Sequence, residues 1–194
     1  MIVIFGGAFN PPTIAHYEVA RHILRLPEVT NLLFVPVGDH YKKAGLIPAI
    51  HRVNMLEIMT SKLPKTNVST VEIEAERTPK TIETLEKIQS KYPKESIAFV
   101  MGADNLFGLT KWYKNELLVK RFKMIIVNRG ELDVCHFIKE NFKFAAEDFL
   151  VVDDFVKIDI SSSQYRADLT KGELLLPAVE KYIKKHGLYG VLDI

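Results

Sequence analysis

Residues 6–16, GGAFNPPTIAH, are the first segment whose residue types and spacing suggest chemistry. Gly6 and Gly7 allow the backbone to approach a ligand closely. Two prolines stiffen the loop, and Thr13 and His16 then fall on the same side of the first turn of a predicted helix. The free N–H groups at the start of a helix suit a polyphosphate. An ordinary Gly-Pro turn with a threonine cap and an incidental histidine is the simpler interpretation of the same residues.

A second polar segment, IDISSSQYR at residues 158–166, follows the apolar run FLVV. Its serines can cap a helix and still present hydroxyl and N–H groups to a phosphate. Arg166 can make a bidentate contact with a phosphate. Taken alone, the segment is better interpreted as a capping sequence with an exposed arginine.

Short apolar runs that alternate with helical patterns predict the scaffold for these segments. Five runs are apolar on both faces, as the strands of a buried parallel sheet are; they lie at residues 2–5, 32–35, 97–101, 124–127 and 149–152. A weaker strand is predicted at 68–73. Strand–helix alternation predicts an α/β fold with a doubly wound, mainly parallel sheet. No linker or repeat divides residues 1–194, so we expect a single domain.

Four helices are predicted from apolar spacing and from their end signals. They lie at residues 16–24, 52–63 and 81–91, and a last one begins at Pro177 and ends before Gly187. The second of these is expected to bury Val53, Leu56, Met59 and Leu63.

Composition excludes several classes of protein. The 26 Lys+Arg and 24 Asp+Glu residues give a net charge of +2, which argues against a dedicated nucleic-acid binder. No apolar run approaches the roughly 20 residues of a membrane span, and the N-terminus lacks the basic region of a signal peptide. Cys135 is the single cysteine, and it shows no zinc-ligand spacing with the histidines. We therefore expect a cytoplasmic protein with no metal site and no membrane partner.

The two polar segments together resemble those of the HxGH-type nucleotidyltransferases, specifically the bacterial nicotinate-nucleotide adenylyltransferases. Further ordered matches extend this resemblance over nearly the whole chain: FVP at 34–36 followed by KK at 42–43, RTPKTIETL at 77–85, GADN at 102–105 with WY at 112–113, IVNRG at 126–130, and VEKYI with GLY at 179–189. Thr13 stands in place of the first histidine of the motif, and Ala15 in place of its glycine. Pro79 and Lys80 replace the usual Ser-Tyr pair.

The resemblance implies adenylyl transfer from ATP to nicotinate mononucleotide with release of pyrophosphate. It implies that His16, Thr13, Lys43 and Arg166 are catalytic residues that contact the triphosphate. It implies that ATP is also bound by Gly6, Gly7, Ala8, Phe9, Asn10, Ile160, Ser161, Ser162 and Ser163. It implies that the pyridine mononucleotide is bound by Thr81, Gly102, Asp104, Trp112, Tyr113 and Arg129. Mg²⁺ is expected to bind through the ATP phosphates and water rather than in a protein cage.

The residues leave other functions open. The acceptor could instead be nicotinamide mononucleotide or phosphopantetheine. A fragment of a class I aminoacyl-tRNA synthetase is opposed by the short chain, the missing KMSKS-type loop and the low net charge. A non-catalytic nucleotide sensor is favoured by Thr13 and Ala15 but opposed by the intact His16, Lys43 and Arg166. The sequence does not decide the oligomeric state.

Overall fold

The centre of the molecule is a six-stranded parallel sheet. The computed structural model describes residues 1–128, 133–153, 155 and 158–191. The strands are β1 (Ile2–Gly7), β2 (Asn31–Pro36), β3 (Thr66–Val68), β4 (Ile97–Gly102), β5 (Lys123–Val127) and β6 (Phe149–Val152). Their order is β3-β2-β1-β4-β5-β6, and every neighbouring pair is parallel. This confirms the predicted doubly wound fold, in which a ligand crevice is expected where the order reverses, between β1 and β4.

Helices connect the strands and cover both faces of the sheet. They are α1 (Ile14–Ile23), α2 (Ala49–Thr60), α3 (Thr81–Lys91), α4 (Ala103–Leu106), α5 (Asn115–Arg121), α6 (Val134–Asn141), α7 (Ser162–Ala167) and α8 (Pro177–Lys185). Pro177 lies in the first turn of α8, and Gly187 follows the helix with φ 57°, as the sequence predicted. None of the helices among the described residues combines the length and the apolar character needed to cross a bilayer.

Alternate residues of the central strands enter two separate cores. Ile4 and Phe99 belong to the core under α3 and α6, whereas Val3 and Ala98 belong to the core under α1 and α2. A third cluster packs α8 against α2. Because both faces of the sheet are covered, its central strands read as continuous apolar runs, which is why the sequence identified them.

Two predictions about local structure were wrong in part. The strand predicted at 68–73 ends at Val68, and a turn follows in which the Ile73 N–H donates to the Thr70 carbonyl at 2.9 Å. Val71 is buried from that turn, so the apolar alternation reflects packing rather than a strand. The predicted buried face of α2 also differs, because Arg52 is fully buried while Val53 is only half-buried.

Candidate active site

The loop after β1 is closely packed and leads directly into α1. Thr13 is buried and caps α1, and its backbone N–H donates to His16 Nδ1 at 3.0 Å. The Thr13 hydroxyl lies 2.8 Å from the same nitrogen. The His16 ring also packs edge-on against Phe9, with the ring centroids 5.1 Å apart. Since Nδ1 accepts a hydrogen bond from a backbone N–H, the neutral imidazole carries its proton on Nε2.

The serine-rich segment contacts the loop after β1 directly. The Ser162 hydroxyl donates to the Pro11 carbonyl at 2.7 Å, and Arg166 Nη1 donates to the Asn10 carbonyl at 2.6 Å. Arg166 Nη2 donates to Ser163 Oγ at 3.1 Å. These contacts join residues that are 151 and 156 positions apart in the chain. The two segments that the sequence singled out therefore form one site.

Capping residues fix the start of α7 within this site. The Ser161 hydroxyl accepts from the Gln164 N–H at 3.2 Å, and the Gln164 side chain reaches back to the Ser161 N–H at 2.5 Å. This reciprocal capping box satisfies N–H groups that the helix itself cannot pair. Ile160 precedes it and is half-buried. Ser161 thus plays the structural role that the simpler interpretation assigned to the serines, and Ser162 lies against the loop after β1.

Asn10 connects the loop after β1 to two further parts of the chain. Its side chain is 1% exposed, and its Nδ2 donates to the Gly45 carbonyl at 2.7 Å. Its Oδ1 accepts from the Ile47 N–H at 3.3 Å and from the Tyr189 hydroxyl at 2.9 Å. The anchored Gly45 lies two residues after Lys43, whose side chain is exposed. The loop that carries Lys43 is therefore tied to the loop after β1.

Arg52 is a buried residue that contacts the loop after β1, and the sequence analysis did not select it. Its fully buried guanidinium donates to the carbonyls of Ile47 at 2.9 Å and Ala8 at 3.2 Å, and forms an ion pair with Asp39 at 3.1 Å. Burial lowers the pKa of Arg52, and the contact with Asp39 opposes that shift. The available signal was spacing, because residue 52 lies on the same helical stripe as the buried Met55 and Met59. Because a charged residue is seldom buried, the apolar pattern did not place Arg52 in the predicted core.

A cleft opens at the carboxyl ends of β1 and β2, beside α3. Two adjoining cavities of 220 and 310 Å³ share five lining residues, namely Tyr41, Thr78, Pro79, Thr81 and Trp112. Gly6 and Gly7 line the inner cavity, and Tyr113 lines the outer one. The structure thus brings the predicted acceptor residues Thr81, Trp112 and Tyr113 together, next to the glycines of the first segment. Trp112 packs edge-on against Phe99, with ring centroids 6.2 Å apart.

A glutamate that the sequence analysis did not select lies in the inner cavity. Glu72 Oε1 accepts a hydrogen bond from the Thr84 hydroxyl at 2.7 Å. Burial raises the pKa of the Glu72 carboxyl, and the hydrogen bond from Thr84 opposes this shift. Thr84 itself is 5% exposed and lies on the buried face of α3.

The start of α3, which positions Thr81, is held by charged side chains. Glu83 accepts from the Lys80 N–H at 2.8 Å and forms an ion pair with Arg77 at 2.8 Å. Together the Arg77 side chain and the Lys80 N–H lower the pKa of Glu83 to about 2. The carboxylate is therefore ionised and pairs an N–H group at the helix start over the whole neutral range.

The remaining predicted acceptor residues follow β4 and β5. Gly102 caps α4, and the exposed Asp104 lies in its first turn. A Cβ atom on residue 102 would lie 2.5 Å from Asp104 Oδ1, so the glycine leaves room for that carboxylate. Arg129 lies outside the described residues. Across the part of the chain that the structure describes, no group of three or more His, Cys, Asp or Glu side chains is arranged to hold a metal ion.

Comparison with known proteins agrees with this geometry. The cytidylyltransferase-like family model matches residues 4–168. The probable nicotinate-nucleotide adenylyltransferase of Caldicellulosiruptor bescii is 34% identical, with 97% of this chain and 98% of that protein covered. The nicotinate-nucleotide adenylyltransferase of Bacillus subtilis is 28% identical, with 97% of each covered. The structure of Plasmodium falciparum nicotinic acid mononucleotide adenylyltransferase complexed with NaAD is 25% identical, covers 98% of both chains and superposes with a TM-score of 0.82. This chain therefore belongs to the cytidylyltransferase-like family, among the nicotinate-nucleotide adenylyltransferases.

Proposed function

We propose that this protein transfers the adenylyl group of ATP to nicotinate mononucleotide, giving nicotinate adenine dinucleotide and pyrophosphate in NAD biosynthesis. The observation that carries this proposal is the direct contact between the two phosphate-type segments, through Ser162 and Pro11 and through Arg166 and Asn10. They meet beside a cleft that Thr81 and Trp112 line. The names of the relatives, and the NaAD bound to the Plasmodium enzyme, support the choice of acceptor.

The chemistry needs positioning and charge stabilisation more than a general base. An oxygen of the 5′-phosphate of the mononucleotide attacks the α-phosphorus of ATP, and a new O–P bond forms. The bond from that phosphorus to the oxygen that bridges to the β-phosphate breaks, and pyrophosphate leaves with the electron pair. The attacking phosphate is already anionic at pH 7. The protein must therefore hold two polyanions together and stabilise charge that moves onto pyrophosphate.

His16, Thr13, Lys43 and Arg166 suit the triphosphate side of this reaction. Because Nδ1 of His16 accepts from the Thr13 N–H, Nε2–H would be the nitrogen that donates toward the α-phosphate. Arg166 and Lys43 would neutralise the β- and γ-phosphates. A guanidinium has five N–H groups, so the contacts of Arg166 with Asn10 and Ser163 still leave donors for phosphate. Mg²⁺ would be bound by oxygens of the ATP phosphates and by water, and it would offset the negative charge of the triphosphate.

Backbone N–H groups and hydroxyls would complete the ATP site. They come from the loop after β1 and from the start of α7: Gly6, Gly7, Ala8, Phe9, Asn10, Ile160, Ser161, Ser162 and Ser163. The contact of Ser162 with Pro11 supports this grouping, because it places both segments at one position in the fold.

The acceptor side would use the cleft. Trp112 would stack on the pyridine ring, and the backbone N–H groups of Thr81 and Tyr113 would bind the nicotinate carboxylate. The position of all three on one cleft supports this assignment. Gly102 and Asp104 would bind the ribose hydroxyls, and Arg129 would bind the mononucleotide phosphate.

Two broader features belong to the same proposal. Residues 1–194 would act as one domain, since β1 and the turn that contains Tyr189 come from opposite ends of the chain and meet at Asn10. The single cysteine supports a reducing compartment, the cytoplasm, as the place of the reaction.

The test is pyrophosphate release from ATP and Mg²⁺ with nicotinate mononucleotide, nicotinamide mononucleotide or phosphopantetheine as the acceptor. His16→Ala should lower the activity about 10²–10³-fold. His22→Ala is the matched control, because His22 also lies on α1 but packs against Phe155. The proposal is supported if nicotinate mononucleotide is the preferred acceptor and if His16→Ala, but not His22→Ala, lowers the activity to this extent. If the protein binds ATP but releases pyrophosphate with none of the acceptors, the proposal is refuted in favour of a nucleotide sensor.

A further inference from the structure

We infer that Tyr189 is a positioning residue for the ATP site and that it acts through the side chain of Asn10. This inference rests on the proposed function, because it assumes that the loop after β1 binds ATP. The family match ends at residue 168, so Tyr189 lies beyond the matched segment. The Tyr189 hydroxyl donates to Asn10 Oδ1 at 2.9 Å across 179 positions of sequence.

Asn10 has few alternatives to this contact. Its side chain is almost completely buried, and the only other donor that the described residues direct at Oδ1 is the Ile47 N–H, at the longer distance of 3.3 Å. Its Nδ2 is already engaged with the Gly45 carbonyl at 2.7 Å. A buried amide oxygen that loses its better donor must move toward another one or remain poorly paired. The orientation of Asn10 therefore depends on the Tyr189 hydroxyl.

The backbone at Tyr189 is held in an unusual conformation. Its φ of 61° and ψ of 11° fall in the left-handed region, which residues other than glycine seldom occupy. Gly187 and Gly190 on either side also have positive φ, at 57° and 85°. The Tyr189 ring packs at a right angle against the buried ring of Tyr165, with centroids 6.1 Å apart. Such strain persists where the surroundings fix the residue, and it is common at functional sites.

The chemistry of the hydroxyl fits a permanent donor. Burial strongly raises the pKa of Tyr189, while the nearby Arg166 and Arg52 oppose that shift. The hydroxyl therefore stays protonated over the neutral range. Asn10 Oδ1 can only accept, so the direction of the hydrogen bond is fixed.

Asn10 transmits this contact to the phosphate-binding groups. Its own carbonyl accepts from Arg166, and the carbonyl of the next residue, Pro11, accepts from Ser162. A shift of Asn10 would therefore move both contacts that join the two ATP-binding segments. Among the residues that the structure describes, neither Thr81 on α3 nor Trp112, which follows the turn at Leu109–Lys111, forms a hydrogen bond with Asn10.

Tyr189→Phe tests this role because it removes only the hydroxyl. Tyr182→Phe is the matched control: Tyr182 lies on α8, and its hydroxyl accepts from Asn54 Nδ2 at 2.8 Å and lies 3.0 Å from His51 Nδ1. Both variants lose a tyrosine hydroxyl from the packing of the C-terminal segment, so both should unfold at somewhat lower urea concentration.

The kinetic constants should separate the two variants. We expect Tyr189→Phe to raise the KM and the Kd for ATP about 5–10-fold, the worth of one net hydrogen bond. The KM for nicotinate mononucleotide should not change. Tyr182→Phe should leave both KM values unchanged. Destabilisation alone lowers the amount of active enzyme and does not raise one KM selectively.

A double-mutant cycle tests whether the effect passes through Asn10. In an Asn10→Ala background, Tyr189→Phe should have no further effect on the KM for ATP. A full additional effect in that background would overturn the proposed route. Should Asn10→Ala fail to fold, the comparison of Tyr189→Phe with Tyr182→Phe decides alone, and equal KM values for ATP would overturn the inference.

The two proposals fail in different ways. If the wild-type protein turns over but Tyr189→Phe binds ATP normally, the positioning role is wrong and the proposed function stands. If the wild-type protein binds ATP without turnover, the proposed function is wrong, and the Kd values still test Tyr189. A wild-type protein that binds no ATP would refute both.

Discussion

Replacement of His16 by alanine should remove the roles of both ring nitrogens, together with the contacts of the ring with the Thr13 hydroxyl and Phe9. Nδ1 accepts a hydrogen bond from the buried Thr13 N–H at 3.0 Å, which helps to cap α1. Nε2 carries the ring proton and is the proposed donor to the transferring phosphoryl group. The first interaction belongs to stability and the second to catalysis, so their losses can be measured independently.

The two losses have different magnitudes. Removal of one donor that stabilises transition-state charge costs about 10²–10³ in kcat, or roughly 2.7–4 kcal/mol. Loss of a helix-cap partner costs about 1 kcal/mol of unfolding free energy. His16→Ala should therefore be strongly impaired in pyrophosphate release at saturating substrate and only modestly less stable to urea.

His16→Asn should separate these two effects. An asparagine oxygen stands near the position of Nδ1 and can accept from the Thr13 N–H, but the side chain is too short to supply a donor at the position of Nε2. We expect this variant to keep most of the stability and to lose activity as His16→Ala does. A His16→Asn variant with wild-type kcat, or a His16→Ala variant within tenfold of wild type, would refute the assignment of the two nitrogens.

Two further predictions concern buried charge. Arg52→Met leaves the carbonyls of Ala8 and Ile47 without their buried partner, so the free energy of unfolding in urea should fall by about 2–5 kcal/mol. A fall of less than about 1 kcal/mol would contradict the structural role of Arg52. Because burial raises the pKa of Glu72, its ionised form lowers stability as the pH rises above the ordinary value of 4.5. Glu72→Gln keeps an acceptor for Thr84 and should therefore melt at a higher temperature than wild type at pH 7 but not below pH 4.5. A gain that is equal at both pH values would show that charge is not its cause.

The parts of the fold that the sequence predicted well are those with a single dominant period. β1, β4 and β5 are covered on both faces, so nearly every residue in them is apolar and no other element fits so short a run. Val71 shows the limit of this reasoning. It is buried from a turn, and a short alternating pattern does not distinguish a packed turn from a strand.

The candidate site also has parts that the sequence predicted and parts that it did not. The glycines, His16, the serines and Arg166 lie in compact segments whose residue types indicate phosphate chemistry. The links between these segments are single hydrogen bonds over long separations, such as Arg52 to Ala8 across 44 positions. No local pattern encodes such a link, and a charged residue on a helix is expected at the surface. The individual catalytic and binding roles, including that of Arg129, stay predictions.

The arrangement of charge supports the proposed anion site in a nearly neutral chain. The net charge is only +2, yet the start of α1, Arg166 and the loop that carries Lys43 all converge on the carboxyl end of β1. Arg52 lies buried beneath them, and Asp39 is its partner. In the proposed function, these positive groups would pair the charges of a bound polyphosphate. The hydrogen bonds of Asn10 with Gly45 and Arg166 would hold the loops that carry these groups in place.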